Sequence, residues 1–234
     1  MSAGETAKST AICIAVHPWS RTSHVVRWLT PNGPVTTVVK GAMRPKSAFL
    51  GQYDLNYTCE IVYYLRAQGE VHALRECVPL NLREDLRGDF RLLALADYFR
   101  RQIIDNAPCG PEAAEWYDLA ERSLTGLISS PAPNLAKLVA FELEVLHLAG
   151  LSPEMEADEG VFSLRGERKI SVSAEVAKAI RDPLSEKNPQ ILVDAARVIG
   201  VFYTFHLDCA PQARRIVLQL ISKKITEEGI SKNG

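Results

Sequence analysis

The 234 residues suffice for one large domain or two small ones, and 47% hydrophobic with 24% charged residues are ordinary globular values that exclude wholesale disorder. A net charge of −1 gives no overall sign of a polyanionic partner, yet it hides an asymmetry: up to Leu80 eight Lys and Arg stand against five Asp and Glu, a balance of +3, and the remainder carries −4. Five scattered cysteines (Cys13, Cys59, Cys77, Cys109 and Cys209) form no CxxC pair, which argues against a disulfide framework or a zinc ribbon and fits buried thiols in a reducing cytosol.

The chain opens with the short polar stretch MSAGETAKST, and the apolar run after it is interrupted by His17 and Pro18. That reads as neither a signal peptide nor a membrane span, so a soluble cytoplasmic protein is expected. Up to about Leu80 the texture is that of strands. Ala11–Val16, His24–Leu29 and Val35–Val39 are apolar and β-branched, Tyr57–Leu65 is rich in aromatic and β-branched residues, and Val71–Val78 follows the break at Ala67-Gln68-Gly69. Five strands in this length predict a small antiparallel barrel, either an OB-fold or an SH3-like barrel; periodicity alone leaves both open.

After Leu80 the period changes to that of helices. Leu82–Asp105 carries apolar residues at three- and four-residue spacing and is stopped by Pro108 and Gly110. Pro111–Leu127 predicts a second helix with Pro111 in its first turn, and Asn134 reads as the N-cap of a third that Gly150 ends. Gly160 and Gly166 mark a short hairpin, Val161–Leu164 against Lys169–Val172, within a polar stretch near 155–172. Helices over Ser173–Arg181, Pro189–Leu207 and Pro211–Lys224 complete the chain, with fraying after Glu227. The expectation is an α+β protein of two domains, a barrel over 1–80 and a helical domain over 81–234.

The strongest local signal is Val39-Lys40-Gly41-Ala42-Met43-Arg44-Pro45-Lys46-Ser47, directly after a strand. Gly41 lets the backbone approach a ligand, Pro45 stiffens the loop, and Lys40, Arg44, Lys46 and the Ser47 hydroxyl have the reach and chemistry for phosphate oxygens. A solvated surface loop has the same composition. Arg21, in Trp19-Ser20-Arg21-Thr22-Ser23, is a second basic, hydroxyl-rich turn that could line the same face. Tyr53, Tyr57, Tyr63 and Tyr64 are candidates for base stacking or for the barrel core.

Catalytic patterns are poor. No GxSxG, Walker A, HExxH or Rossmann glycine turn occurs. His17, His24, His72, His147 and His206 lack metal-like partners, and Glu142 and Glu144 fall on different faces of one helix. A non-enzymatic protein without cofactor or metal is therefore expected.

Against this background the order of several short elements resembles the RecO family of recombination and repair mediators. They are Ser20-Arg21-Thr22-Ser23-His24-Val25-Val26, Leu29-Thr30, Gly33, Val39-Lys40-Gly41-Ala42 with Ser47, and Gly69 leading to Leu74-Arg75. Phe141-Glu142-Leu143 running to Gly150-Leu151-Ser152-Pro153, and Pro211 with Arg214-Arg215, are similar as well. The resemblance implies an N-terminal OB-fold on a helical domain, ATP-independent binding and annealing of single- and double-stranded DNA, and help in loading a recombinase. The partners it implies are RecR and the acidic C-terminal tail of single-strand-binding protein, in the nucleoid. Carried onto this chain, it points to Arg21, Lys40, Arg44, Lys46, Ser47 and Arg75 for DNA.

Two departures are visible. Many members hold zinc with four cysteines after the Gly-Leu-x-Pro stop, whereas Glu154–Ser171 has none here, so no zinc module is expected. Relatives can place arginine before the helix phenylalanine near the tail pocket, where this chain has Val139-Ala140. Arg100, Arg101, Arg122 and Lys137 are then the candidates for an acidic tail, which needs cations beside apolar contacts. Two other classes remain open: a barrel that acts as a protein-interaction scaffold, and an enzyme with an unrecognised site among the helices.

Overall fold

A computed structural model describes residues 5–66, 70–156, 160–163, 169–207 and 211–230. The five expected strands are present as β1 (Thr6–Ser20), β2 (Ser23–Thr30), β3 (Gly33–Val39), β4 (Thr58–Tyr64) and β5 (Val71–Asn81). The expected turn at Ala67–Gly69 lies outside the described residues, as do Gly166, Leu164 and Cys209.

The strands close into a barrel in the order β1-β2-β3-β5-β4, with β1 returning to β4. All neighbours are antiparallel except β3 and β5, which run parallel through Thr36↔Val71, Thr37↔His72 and Val38↔Ala73. That order is the OB-fold's and settles the choice against the SH3-like alternative. Closure leaves no free sheet edge, so strands this apolar are protected from pairing with other chains. Alternation then fills the interior with Ala11, Cys13, Val26, Trp28, Val39, Cys59, Ile61, Leu74 and Cys77. Trp28 is fully enclosed and donates its indole N–H to Thr37 Oγ1 at 2.9 Å, so its one polar atom is satisfied.

The chain forms two compact units, and the first is discontinuous: it runs through Glu84 and also takes in Asn106–Leu124. That second piece contains most of α2 (Ala113–Ser129), which begins two residues after Pro111. It is tied to the barrel at two places. Gly33, at φ 112°, lies so close to Cys109 and Gly110 that a Cβ would come within 3.1 Å of the Cys109 Cα, and the Gly110 amide donates to Asn32 O at 3.2 Å. Arg83, almost fully buried, donates to Asn56 O and to Glu121 Oε1, both at 2.5 Å, and the Thr58 hydroxyl donates to Glu121 Oε2 at 2.7 Å. Asn56 and Arg83 both adopt left-handed backbone, at φ 68° and 47°, a conformation held by this shared network.

The second unit comprises Asp85–Asp105 and the chain from Thr125 onward. It holds α1 (Phe90–Asn106), α3 (Asn134–Leu148), α4 (Ala174–Arg181), α5 (Pro189–His206) and α6 (Pro211–Ile230). α1 begins eight residues later than the apolar spacing implied, because β5 continues to Asn81 and Glu84–Gly88 forms a 3-10 turn. At α3 the cap position belongs to Pro133, which offers no side-chain bond, and Asn134 is already helical. Ser173 and Asn188 do cap α4 and α5 through their side-chain oxygens. Helix α6 runs past the expected Lys224 end and the fraying point at Glu227. The hairpin near 155–172 is present as β7 (Val161–Ser163) against β8 (Lys169–Ser171), but Glu154–Glu156 adds a third strand, β6. Three residues reading Glu-Met-Glu carry no usable alternation, which is why it escaped notice.

One charge network organises the helices. The carboxylate of Glu142 on α3 is fully buried and accepts from Arg214 Nε at 2.7 Å, Arg214 Nη2 at 2.8 Å and the Tyr98 hydroxyl at 2.7 Å. Arg214 also donates to Ala196 O on α5 at 2.7 Å. Burial, reinforced by the Glu142 charge, pushes the Tyr98 phenol well above its ordinary range. Gly200, in the middle of α5, makes room for this: a Cβ there would strike the Arg214 guanidinium. In an open helix Gly→Ala gains about 1 kcal/mol, whereas breaking a buried pair on one side costs about 3–5 kcal/mol. Gly200→Ala is therefore expected to destabilise the helical unit by about 2 kcal/mol despite its better helix propensity. Urea unfolding followed by far-UV circular dichroism checks the sign, and a stabilised variant would contradict it.

Candidate nucleic-acid interface

The Arg21 turn and the basic loop, 18 residues apart in the register of Ser23 and Gly41, are brought together. β1 and β2 meet at the pair Ser20↔Ser23, leaving Arg21 and Thr22 as a two-residue tip. The end of β3 reaches the same place, since His24 pairs with Val39. Two amides of the loop then bond to the hairpin. Gly41 N donates to Ser23 Oγ at 3.2 Å, and Met43 N donates to Thr22 O at 3.1 Å. Gly41 has φ 67°, with the aliphatic part of Arg44 against it: a Cβ would lie 3.3 Å from Arg44 Cδ. The left-handed conformation is what favours glycine there, since the exposed Arg44 side chain could give way to a Cβ. Ala42 is buried in the barrel core and anchors the loop from within.

Beyond Ala42 the loop turns repeatedly on itself, with Arg44 N donating to Gly41 O and Ser47 N to Arg44 O. Lys40, Arg44 and Lys46 are exposed, as is Arg21, and none of the four forms an ion pair among the described residues. Ser47 is half-buried and its oxygen accepts from Phe49 N at 3.2 Å, which leaves its hydroxyl proton available. Arg75 follows the last β3–β5 pair by two residues, as Lys40 does, and the two strands run the same way. Through β4, however, Arg75 lies level with Tyr63 and Tyr64, which pair with Ala7 and Thr6 at the start of β1, away from the Ser20–Ser23 tip. It is also the extra residue of a bulge on β5, between Leu74↔Tyr63 and Glu76↔Val62. Unlike the other four it has a partner: its Nε lies 3.0 Å from Glu76 Oε1, and its guanidinium sits 5.9 Å from the Tyr64 ring centre.

The residues around this face carry a signal that strand-by-strand reading missed. Between Glu5 and Asp54 there is no Asp or Glu, while Lys8, Arg21, Arg27, Lys40, Arg44 and Lys46 fall in that interval. The tyrosines are mostly interior. Tyr57 and Tyr63 are buried, Tyr53 is half-buried with its hydroxyl 2.8 Å from His24 Nδ1, and Tyr64 is exposed. Burial, with a smaller contribution from Cys13 and Cys77, pushes the Tyr53 phenol up. The exposed aromatic at this end of the barrel is instead Trp19, at 70% exposure.

The four helical candidates are placed less favourably. Arg100 and Arg101 both bind Asp97, Arg101 Nε at 2.8 Å from Oδ2. Lys137 donates to Leu127 O at 2.9 Å, and burial pulls its ammonium below the ordinary lysine value. Arg122 is exposed on α2, in the part that belongs to the barrel's unit. Arg101 does line a cleft of about 370 Å³ with Ala94, Asp97, Tyr98, Gln212, Ala213, Ile216 and Val217. Among the described residues no group of three or more His, Cys, Asp or Glu is placed to hold a metal ion, and no helix is long and apolar enough to cross a membrane.

The pairing of Asp97 has a measurable sign. Burial alone would raise its carboxyl, but hydrogen bonds and charge from Arg101 and Arg100 reverse this and hold it below the usual range. A carboxyl depressed on folding contributes stability above its unfolded value, near 4, and loses it as pH falls through the folded value. Asp97→Asn should therefore melt at a lower temperature than the wild type at neutral pH, with the gap closing below about pH 4. Thermal melts at several pH values would show it; a gap independent of pH would mean that the pair contributes nothing.

No family model matches the chain. Over 151 residues, 61% of its length, it is 30% identical to the protein named DNA repair protein RecO of Rhodopirellula baltica (strain DSM 10527 / NCIMB 13988 / SH1). The match covers 53% of that protein, so the chain spans about half the length of the curated relative to which it is similar.

Proposed function

We propose that this chain is a RecO-type DNA repair protein that binds DNA strands through the basic end of its barrel and anneals them without nucleotide hydrolysis. The observation that carries the reading is four exposed cations, Arg21, Lys40, Arg44 and Lys46, without ion-pair partners among the described residues and gathered by the Gly41 and Met43 hydrogen bonds. Similarity to a DNA repair protein over the matched residues supports it. So does the OB-fold, a barrel widely used for oligonucleotides.

The mechanism needs no catalytic group. Two complementary strands repel through their phosphates, and a fixed row of cations with released counterions lowers that repulsion while base pairing supplies specificity. Phosphate contacts carry no base identity, so all sequences should bind about equally. Loading of a recombinase adds two partners to the proposal, RecR and the acidic tail of single-strand-binding protein. For the tail the apolar cleft beside Arg101 has the required mixture of contacts. Arg101→Ala should weaken binding of an acidic tail peptide, read by fluorescence anisotropy; unchanged binding would remove this cleft from the proposal.

The DNA-binding face is tested by the variant Lys40→Ala/Arg44→Ala/Lys46→Ala. Each lost phosphate contact flattens the log-affinity against log-salt slope by about 0.7 for single strands, so the triple change should flatten it by about 2. Exposed positions of this kind affect stability by about 0.5 kcal/mol or less each, and the melting temperature should hold. Lost stability with an unaltered slope would support a scaffolding loop instead.

A further inference from the structure

We infer that Trp19 is a base-stacking residue that gives this basic face its preference for unpaired over paired strands. The inference rests on the nucleic-acid reading above and specifies how that site distinguishes its ligands.

Trp19 is the most exposed large apolar side chain among the described residues, at 70%, whereas Trp28 and Trp116 are 0% and 4% exposed. It is also the extra residue of a β-bulge: Pro18 pairs with His24 and Ser20 with Ser23, so Trp19 has no partner on β2. A bulge breaks the alternation that would otherwise assign the side chain to the barrel wall or to a neighbour across the sheet. An indole left in water forfeits the burial that makes tryptophan useful in a core, and it invites association unless a ligand covers it.

The surroundings identify the ligand. Arg21 is two residues away on the same hairpin, and the Thr22–Met43 bond joins that hairpin to the loop of Lys40, Arg44 and Lys46. Met43, itself 57% exposed, adds a polarisable apolar side chain at the junction. No Asp or Glu occurs from Thr6 to Tyr53. A protein partner with a tryptophan hot spot would not require the surrounding charge to be of one sign. A ligand with flat π faces on a polyanionic backbone does, and that is a nucleic-acid strand. In a duplex the bases are already stacked on one another, and only their edges are open in the grooves. Trp19 therefore has something to stack on only in a single strand or at an unpaired end. The cations serve both forms; the indole serves one.

Because the other two tryptophans are enclosed, quenching of the protein's emission by an added ligand reports on Trp19. The probes are a thymidine oligonucleotide of about 16 nucleotides, the upper site size of one OB-fold, an abasic sugar-phosphate strand of equal length, and a blunt duplex. Thymidine strands should quench the emission, while abasic strands should bind at low salt without quenching it. Trp19→Ala should weaken single-strand binding by about tenfold, within the range for loss of one base–aromatic stack, and change duplex binding by no more than about twofold. Its salt slope should stay that of the wild type, since no phosphate contact is lost, and Trp19→Phe should recover most of the affinity. Binding of thymidine strands without quenching, or equal loss for single strands and duplex in Trp19→Ala, would overturn the stacking role and leave the cationic face standing. Absence of binding to any of the three probes would overturn both. The wild-type quenching measurement decides the matter even if Trp19→Ala does not fold.

Discussion

Two backbone amides, those of Gly41 and Met43, hold the basic loop against the β1–β2 turn, and the electropositive face depends on them. Chain leaving β3 has no sheet partner until β4 begins at Thr58, so its polar backbone groups must find acceptors locally. Ser23 Oγ and Thr22 O provide two, and burial of Ala42 adds an apolar anchor. With the backbone fixed at these points, the cations are displayed from a frame already ordered before any ligand arrives. Less conformational freedom is then lost on binding than if the loop had to be ordered at that moment.

The helical unit depends on a different constraint. Tyr98 on α1 and Arg214 on α6 converge on one carboxylate of α3, and on α5 the Ala196 carbonyl accepts from that Arg214 while Gly200 leaves room for it. A buried pair of this kind contributes little net stability against an apolar replacement, because both ions had to leave water. Its effect is on uniqueness: the Glu142 carboxylate is satisfied only when these helices adopt one mutual register. The polar atoms thus select an arrangement that apolar packing of Phe99 on Phe141, 3.9 Å between ring centres, would alone tolerate more loosely.

Much of the barrel was legible because its signals are local. β-branched runs bounded by Gly, Pro and Asn predicted five strands, and β1 and β5 differ mainly in length: the bulge at Trp19 interrupts the alternation near the end of β1, and Pro79 and Asn81 at the end of β5 read as breakers. Helix starts were less legible. Pro111 and Asn134 are good first-turn and cap residues, yet Pro111 sits in a turn ahead of α2, closed by Ala114 N donating to its carbonyl, and Pro133 takes the cap position so that Asn134 is already helical. At the site, Gly41 and its cations stood out by composition, but their closeness to Arg21 depends on register, which composition does not encode. Trp19 stood out only as a neighbour of Arg21 in a turn, since the bulge that leaves it unpaired on β2 is a property of register. The Glu142–Arg214 pair spans 72 residues and leaves no periodic trace.

The discontinuity of the barrel's unit bears on how the protein is made. The last strand ends at Asn81, yet the unit is complete only at Leu124. On a ribosome adding about 5–20 residues per second, the roughly forty intervening residues take about 2–8 s. Throughout that interval Arg83, destined to be enclosed, has no Glu121 to neutralise it, and α1 is emerging as part of the other unit. The nascent barrel must therefore wait, its guanidinium still hydrated, for chain that has yet to be translated. By the same logic a fragment cut after the fifth strand is an interrupted intermediate, lacking the carboxylate that lets its final turn close.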